Sequence, residues 1–428
     1  MLLHLVTSSY SIDFAAGTPV LAAKTQRTGE YIFFPQTLRR VTGMPDTLVM
    51  SYQSDADALH DDGWKGGLLG STDGATWHAI PQPHSPMLVK SCFEPDDESL
   101  KCYEYPLRKL ATNSSDDTHA RLGWQLYTAS TSAPGGFVQT SAGEAPMTFP
   151  ADKHLKSWGD STFLMVTDGK VLSMPLPGVH QQERLLLLYG HYVNSSKYTL
   201  VATHSTDEGA TWTYLSDVSH GASSPCDNPS EHDCTWMADF KTIMCVWRSD
   251  GAAKTLCESR TSDNGRTWTP AQPLSGSSEE QRGDGTIPSA PIGVEPKLER
   301  LNNGLLVVSA GRPGLYLWAA VDPTAPGSSG VTRTASATAA LTWQGFNIAA
   351  HHNAAVADPS LRYSSDTPSS SETTSYTGMV QILASESGVM VSYDRLANGW
   401  SPAPYPPPAS GGKGLSALFT VRVNISKA

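Results

Sequence analysis

A chain of 428 residues can hold two or three average domains, or one large repeat-built domain with a well-buried core. Its formal charge of -11 repels polyanions, and no Lys/Arg cluster is dense enough to release counterions from a phosphate backbone, which excludes nucleic acid as a partner. Only 17% of the residues are charged while 36 are Gly and 30 are Pro, a balance that excludes long amphipathic helices and predicts an all-β chain of short strands and turns.

From the start, MLLHLVTSSYS has too short an apolar stretch for a complete signal peptide, so a secreted chain would have had its signal trimmed. No apolar run approaches the roughly 18 residues that span a bilayer. The first strand-like runs are YIFFPQTL and TLVMSYQ. The acidic loop that follows, SDADALHDDGW, carries Asp55, Asp57, Asp61 and Asp62. It leads into STDGATW (71–77), a segment that returns as STDEGATW (205–212) and TSDNGRTW (261–268). In each copy Asp and Gly suit a hairpin turn that needs a side-chain acceptor and a positive φ, and the Trp can wedge between neighbouring sheets. These repeat residues are structural.

Degenerate copies follow: SAPGGF ending at Phe137, SATAALTW ending at Trp343 and YDRLANGW ending at Trp400. The six aromatic anchors lie 56 to 75 residues apart, enough for a four-stranded blade each time. Between them run RLLLLYGHY, TIMCVWR, GLLVVSAGR and GVMVSYD. The expectation is a six-bladed β-propeller of four-stranded antiparallel blades, one domain spanning 1–428. Its last strand (417–423) would pair with an N-terminal strand to close the ring. The serine-rich stretches 327–338 and 364–375 read as polar insertions at a propeller face.

Six cysteines form three close sequence pairs, Cys92/Cys102, Cys226/Cys234 and Cys245/Cys257, as expected of local disulfides made in an oxidising compartment. Cys245 and Cys257 flank a turn near Asp250 and Gly251, so adjacent strands would set them side by side. Sequons at Asn113, Asn194 and Asn424 fit a secreted glycoprotein.

The boxes and their spacing resemble the sialidase (neuraminidase) superfamily, specifically its secreted BNR-repeat members, over nearly the whole chain. Three segments extend the resemblance. SEHDCTWMADFKTIMCVWR carries Glu231 and Arg248, VEPKLERLNNGLLVVSAGRPG carries Glu295 and Arg312, and TTSYTGMVQILASESGVMVSYD opens with Tyr376. The resemblance implies that Tyr376 is the nucleophile and that Glu231 takes its proton. It also implies that Arg248 and Arg312 bind a substrate carboxylate and that Asp61 or Asp62 is the general acid. Glu295, placed before Arg312 as Glu231 is before Arg248, ranks second to Glu231 as the carboxylate partner. The residue types fit the chemistry. A keto-sugar acid carries a carboxylate beside its anomeric carbon, which repels an anionic nucleophile and favours a neutral phenol. Phenol ionises near pH 10, so a carboxylate must relieve it of its proton, and guanidinium forks hold the substrate carboxylate.

One position departs from the family. Where the superfamily has arginine before proline on the first strand, YIFFPQTL has Phe33, leaving Arg39 or Arg40 as replacements. The implied activity is a secreted, retaining, exo-sialidase-like glycoside hydrolase on terminal acidic sugars of glycans, with no cofactor and no metal. The Asp55–Asp62 cluster has oxygen ligands for calcium without the spacing of an EF-hand. Two alternatives stay open: a polysaccharide lyase working through His351 and His352 or a tyrosine, and a non-catalytic glycan-binding propeller. Trp158 and Trp318 are candidates for stacking on sugar rings, with packing as their first duty.

Overall fold

The computed structural model describes residues 11–26, 30, 32–41, 47–55, 63–95, 98–110, 117–175, 182–219, 225–250, 256–274, 287–326, 341–382, 387–397, 399 and 415–428. Asp57, Asp61, Asp62, Asn113 and Trp400 lie outside the described residues.

The strand-like runs of the sequence form antiparallel meanders in a propeller-like arrangement. One four-stranded sheet takes Phe33–Val41, Thr47–Gln53, Gly66–Ser71 and His78–Ile80. A second takes Pro229–Trp236, Ile243–Ser249, Leu256–Thr261 and Gln272–Pro273. A third takes Val294–Arg300, Leu305–Gly311, Leu315–Val321 and Gln344–Asn347. A five-stranded sheet joins Thr377–Gln381, Gly388–Arg395 and Ala417–Lys427 to Ile12–Ala16 and Val20–Lys24. The expected pairing of the last strand with the chain start is present, with Phe14 opposite Ile425.

The sheets are not six separate ones. Between 89 and 217 the strands form one ten-stranded sheet. It contains a meander from Val89–Phe93 to Phe137–Thr148 and another built on Phe163–Thr167, Gln182–Tyr192, Thr199–Ser205 and Trp212–Asp217. Two contacts weld them: a short parallel pairing of Met147 with Trp212, and an antiparallel one of Phe163–Thr167 with Ser99–Lys109. These are tertiary pairings between runs remote in sequence.

The first strands of the meanders line a central axis. Phe33–Val41 lies between Val89–Phe93 and Thr377–Gln381, and Val294–Arg300 lies between Pro229–Trp236 and Thr377–Gln381. Apolar cores fill the wedges between sheets; one holds Val307, Leu317, Val391, Tyr393 and Phe419. Fully burying each such side chain contributes about 1.5–3 kcal/mol.

The three repeated turns share one hydrogen-bond pattern. Asp73 accepts from the N–H of Ala75 (2.8 Å) and Thr76 (2.7 Å), and Ser71 Oγ accepts from the Gly74 N–H. Asp207 with Thr211, and Asp263 with Thr267, repeat it. Gly74, Gly209 and Gly265 sit at φ of 70°, 72° and 81°, where a Cβ would be strained. Two aromatic anchors join neighbouring meanders: Trp268 Nε1 donates to Ser216 Oγ at 3.0 Å, and Trp212 packs edge-on to Tyr103.

The disulfides are Cys92–Cys102, Cys226–Cys257 and Cys234–Cys245, so two of the three expected pairings are corrected. Cys234 stands directly opposite Cys245 on neighbouring strands, with Cα atoms 4.1 Å apart. Cys257 faces Trp247, two residues out of register with Cys245, and is met instead by Cys226 from the loop before Pro229–Trp236. No helix among the described residues is long and apolar enough to cross a membrane.

Candidate active site

In an antiparallel meander the start of the first strand lies beside the end of the second, so residues at those two places share one rim of the assembly. Glu231 begins Pro229–Trp236 and Arg248 ends Ile243–Ser249; Pro229 is paired with Ser249. Glu295 begins Val294–Arg300, and Arg312 directly follows Leu305–Gly311, with Val294 opposite Gly311. Tyr376 directly precedes Thr377–Gln381. Three sheets thus deliver five side chains to the same end of the axis.

Their geometry is specific. The Tyr376 hydroxyl donates to Glu231 Oε1. Arg248 Nη1 donates to both Glu231 oxygens, at 3.1 and 3.2 Å, while its Nε meets Asp250 at 2.8 Å. The Glu295 N–H adds a third donor to Glu231, at 2.9 Å. Arg312 Nη2 donates to the Thr374 carbonyl at 2.7 Å, and its guanidinium carbon lies 5.5 Å from the Tyr376 ring centre. Between the two candidate partners of Tyr376, the hydroxyl lies on Glu231; the Glu295 carboxylate turns to Lys297 at 2.6 Å.

The charges follow from these contacts. Burial pushes the Glu231 carboxyl up, but Arg248, the Tyr376 hydroxyl, Arg312 and the Glu295 N–H overcome it and hold it below the ordinary glutamate value. Burial, reinforced by Glu231 and Glu295, pushes the Tyr376 phenol well above its ordinary value. At neutral pH the pair is a neutral phenol donating to a carboxylate.

Beneath it lies a buried layer of charge. Lys297 bridges Glu295 and Asp168, the latter at 3.3 Å, and Lys90 lies 3.4 Å from Asp168 and 3.7 Å from Glu295. Burial and the neighbouring Asp168 push the Glu295 carboxyl up to about 8. Lys90 also lies 4.1 Å from the centre of the Tyr105 ring and 5.8 Å from that of Tyr376. Sequence reasoning missed Lys90, Asp168 and Lys297. A signal existed for the last: Glu295, Lys297 and Glu299 alternate, so an innermost strand carries charges on one face.

Asp394 supports Tyr376 from behind. Fully buried, it accepts from Thr373 Oγ1 (2.8 Å), the Thr374 N–H (2.9 Å), Thr374 Oγ1 and the Phe34 N–H (3.1 Å). Two of the residues so held, or next to those held, have left-handed backbones: Phe34 at φ 49° and Ser375 at φ 62°. Non-glycine residues adopt this region at a cost of about 1–3 kcal/mol and persist there only when their surroundings over-determine them.

The first strand brings no cation to the site. Phe33 and Phe34 are buried, and the Phe34 ring packs on Tyr376 with centroids 4.6 Å apart. Arg39 and Arg40 do not replace the missing arginine: they pair with Val49 and Leu48, six and seven residues along the strand from Phe33, roughly 20 Å away at about 3.3 Å per residue. Arg39 instead borders a pocket with Gln36, Lys170, Asp233 and Lys297. His351 and His352 sit on the helix Ile348–Ala355. His352 bonds the Tyr393 hydroxyl and the Leu361 carbonyl, and burial pulls its imidazole down to about 4. Trp318 is fully buried and donates to the Pro288 carbonyl, so it packs the core. Asp55 accepts from the Lys65 N–H. Among the described residues no group of three or more His, Cys, Asp or Glu side chains is arranged to hold a metal ion.

No family model matches the chain, and no curated protein matches it. Its fold is shared with solved structures. A protein of unknown function from Dyadobacter fermentans superposes with a TM-score of 0.57 at 15% identity, covering 96% of this chain and 99% of that one. An α-L-arabinofuranosidase of Fusarium graminearum, in complex with an iminosugar inhibitor, gives 0.53 at 12% identity, covering 95% and 98%. The NanB sialidase of Streptococcus pneumoniae gives 0.52 at 11% identity, covering 96% and 70%. At these identities the likeness is one of fold.

Proposed function

We propose that the chain is a secreted, retaining glycoside hydrolase of the sialidase type, acting on a terminal acidic sugar, with Tyr376 as nucleophile and Glu231 as its proton acceptor. The reading includes one domain over the whole chain and six blades, counting the ten-stranded sheet as two. The observation that carries it is the hydrogen bond from the Tyr376 hydroxyl to a buried carboxylate that also accepts from Arg248 and from the Glu295 N–H. Support for glycosidic chemistry comes from the fold shared with proteins named as an arabinofuranosidase and a sialidase.

On this reading the phenol oxygen attacks the anomeric carbon as its proton passes to Glu231. With ordinary pKa values near 10 and 4.3, moving that proton first would cost about 8 kcal/mol, and both shifts in this site enlarge the gap. Transfer therefore accompanies bond formation. A carboxyl of Asp61 or Asp62 protonates the leaving oxygen. In the second step the carboxylate now on Asp61 or Asp62 takes a proton from water, whose oxygen bonds to the same carbon as its bond to the Tyr376 oxygen breaks and Glu231 returns the proton to the phenol; two displacements restore the configuration. Arg248 and Arg312 hold the substrate carboxylate. Phe33 in place of a third arginine forfeits about 2–3 kcal/mol of charge-assisted binding, roughly a hundredfold in affinity, so the acidic sugar is held more weakly than by three guanidiniums.

A second reading, a glycan-binding propeller without turnover, is favoured by one observation: Arg248 is already engaged by both Glu231 and Asp250. Proton NMR of the first-formed product from an acidic glycoside separates the readings. Retention is expected; net inversion rejects the tyrosine mechanism, and tight binding without turnover, unchanged in Tyr376→Phe, favours the second reading.

A further inference from the structure

We propose that Trp158, Tyr198 and His191, backed by the buried Tyr189, form a second subsite, which takes an uncharged sugar ring of the leaving glycan beside the bond that Tyr376 attacks. The subsite rests on the glycosidase reading above for its place in the reaction, and on its own geometry for its existence.

The rim that carries the catalytic residues is divided by chemistry. The strands from 229 onward bring Glu231, Arg248, Asp250, Glu295, Arg312 and Tyr376 to it. The strands between 163 and 205 bring rings to the same end by the same topology. Trp158 lies just before Phe163–Thr167, Tyr189 and His191 lie at the end of Gln182–Tyr192, and Tyr198 directly precedes Thr199–Ser205. Ring centres are 6.4 Å apart for Trp158 and Tyr189, 6.1 Å for Trp158 and Tyr198, and 4.2 Å for His191 and Tyr198.

This group touches the catalytic machinery. Tyr189 is edge-on to His232, the neighbour of Glu231, and its hydroxyl lies 3.1 Å from that of Tyr105, whose ring carries Lys90. Tyr198 borders the Arg248–Asp250 pair, whose charges act on its phenol after burial has pushed it up. Trp158, His191 and Tyr198 are only half-buried, unlike the core tryptophans Trp212, Trp247 and Trp318.

The ligand class follows from the chemistry of the surface. A pyranose or furanose offers C–H groups to an aromatic face and hydroxyls to its edges, which rings with polar tips can meet together. Trp158 is tilted by 50° and 47° to the two tyrosines, so neither is stacked flat on it. Two charged pairs stand at the border, Arg248 with Asp250 and Lys197 with Asp227, and Lys156 lies opposite His191 on the neighbouring strand; burial, with Lys156 adding to it, pulls the His191 imidazole down and keeps it neutral at neutral pH. The rings of the group themselves carry no charge at neutral pH. An acidic sugar held by guanidiniums thus continues into a neutral sugar held by rings.

Lactose titrated into the full chain, followed by intrinsic fluorescence and saturation-transfer NMR, tests this. Millimolar binding is expected, weakened at least about tenfold in Trp158→Ala and in Tyr198→Ala. It should be unchanged in Phe240→Ala, which removes an exposed ring (66% accessible) on the turn at the opposite end of its meander. Circular dichroism and unfolding midpoints exclude misfolding of the variants. No binding by the native chain, or equal binding by Trp158→Ala, overturns the subsite. A parallel assay separates it from the hydrolase reading. Trp158→Ala should lose about tenfold in kcat/KM on an acidic glycoside carrying lactose, where Phe240→Ala loses nothing; an equal loss by Trp158→Ala on a substrate with a fluoride leaving group, which has no sugar ring, would place Trp158 outside the leaving-glycan subsite. If lactose binds through Trp158 but no acidic glycoside is turned over, the hydrolase reading fails and the subsite stands.

Discussion

Replacing Glu231 by Gln keeps the shape of the side chain and removes its charge. The carboxylate accepts from three donors: the Tyr376 hydroxyl, Arg248 Nη1 and the Glu295 N–H. The amide offers one acceptor oxygen, so at least one donor faces an N–H group, at about 1–3 kcal/mol for a buried unsatisfied partner. Arg248 keeps Asp250 at 2.8 Å and its side chain is 29% exposed, which keeps the loss below the 3–5 kcal/mol of a fully broken buried pair. Stability should therefore fall by about 1–3 kcal/mol, measured by denaturant unfolding, and the chain should remain folded. Activity should fall far more. An amide can accept the hydroxyl hydrogen bond but cannot take the proton, and losing a positioned base costs about 10²–10⁴-fold. The assay is kcat/KM on a fluorogenic acidic glycoside for Glu231→Gln, Tyr376→Phe and the double variant. Residues that act as one unit are non-additive, so the double variant should be no slower than the worse single one. Activity within tenfold of native for Glu231→Gln, or fully additive losses, would refute the paired roles.

Other expectations follow from neighbouring contacts. Asp394→Asn leaves one acceptor for the donors at Phe34, Thr373 and Thr374, so the backbone under Tyr376 should relax; kcat should drop about tenfold or more with KM little changed, since ångström misplacements cost up to about 10²-fold. Glu295, with its carboxyl raised to about 8, contributes stability that is fully present below its unfolded value near 4.5 and lost as pH rises through about 8. Unfolding midpoints between pH 5 and 8 should therefore decline less steeply in Glu295→Gln than in the native chain. Removing Cys226–Cys257, whose partners are 31 residues apart, by a double Ser substitution should cost about 3–4 kcal/mol on the chain-entropy account, more than removing Cys92–Cys102 at separation 10. Denaturant unfolding of both double variants checks that order.

What was legible in the sequence was local. The turns at Asp73, Asp207 and Asp263 could be read because a side-chain acceptor, a positive-φ glycine and a following aromatic must sit at fixed offsets. The strand runs could be read from β-branched and aromatic composition. What required the fold was pairing between remote segments. Nothing near Met147 announces its pairing with Trp212, which fuses two meanders into one sheet. Cysteine proximity in sequence favoured Cys245/Cys257, yet strand register sets Cys234 opposite Cys245. The same holds at the site. Glu231 and Tyr376 were found through motif resemblance, and their hydrogen bond spans 145 residues. Lys90 and Asp168, buried under them, belong to no motif and are defined only by the strands that meet at the axis. The loop carrying Asp61 and Asp62 lies outside the described residues, and the general-acid role remains a proposal.

The central claim is that the Tyr376 oxygen bonds to the anomeric carbon. Its most direct test is trapping with a keto-sugar acid carrying fluorine at the anomeric carbon and at the adjacent one, which forms the intermediate faster than it decays. Peptide mass spectrometry should find one sugar residue on the peptide bearing Tyr376, with fragmentation placing it on the phenol, and no adduct in Tyr376→Phe. An adduct on a carboxylate such as Asp168 or Glu231, or turnover of acidic glycosides that survives Tyr376→Phe, would contradict the account.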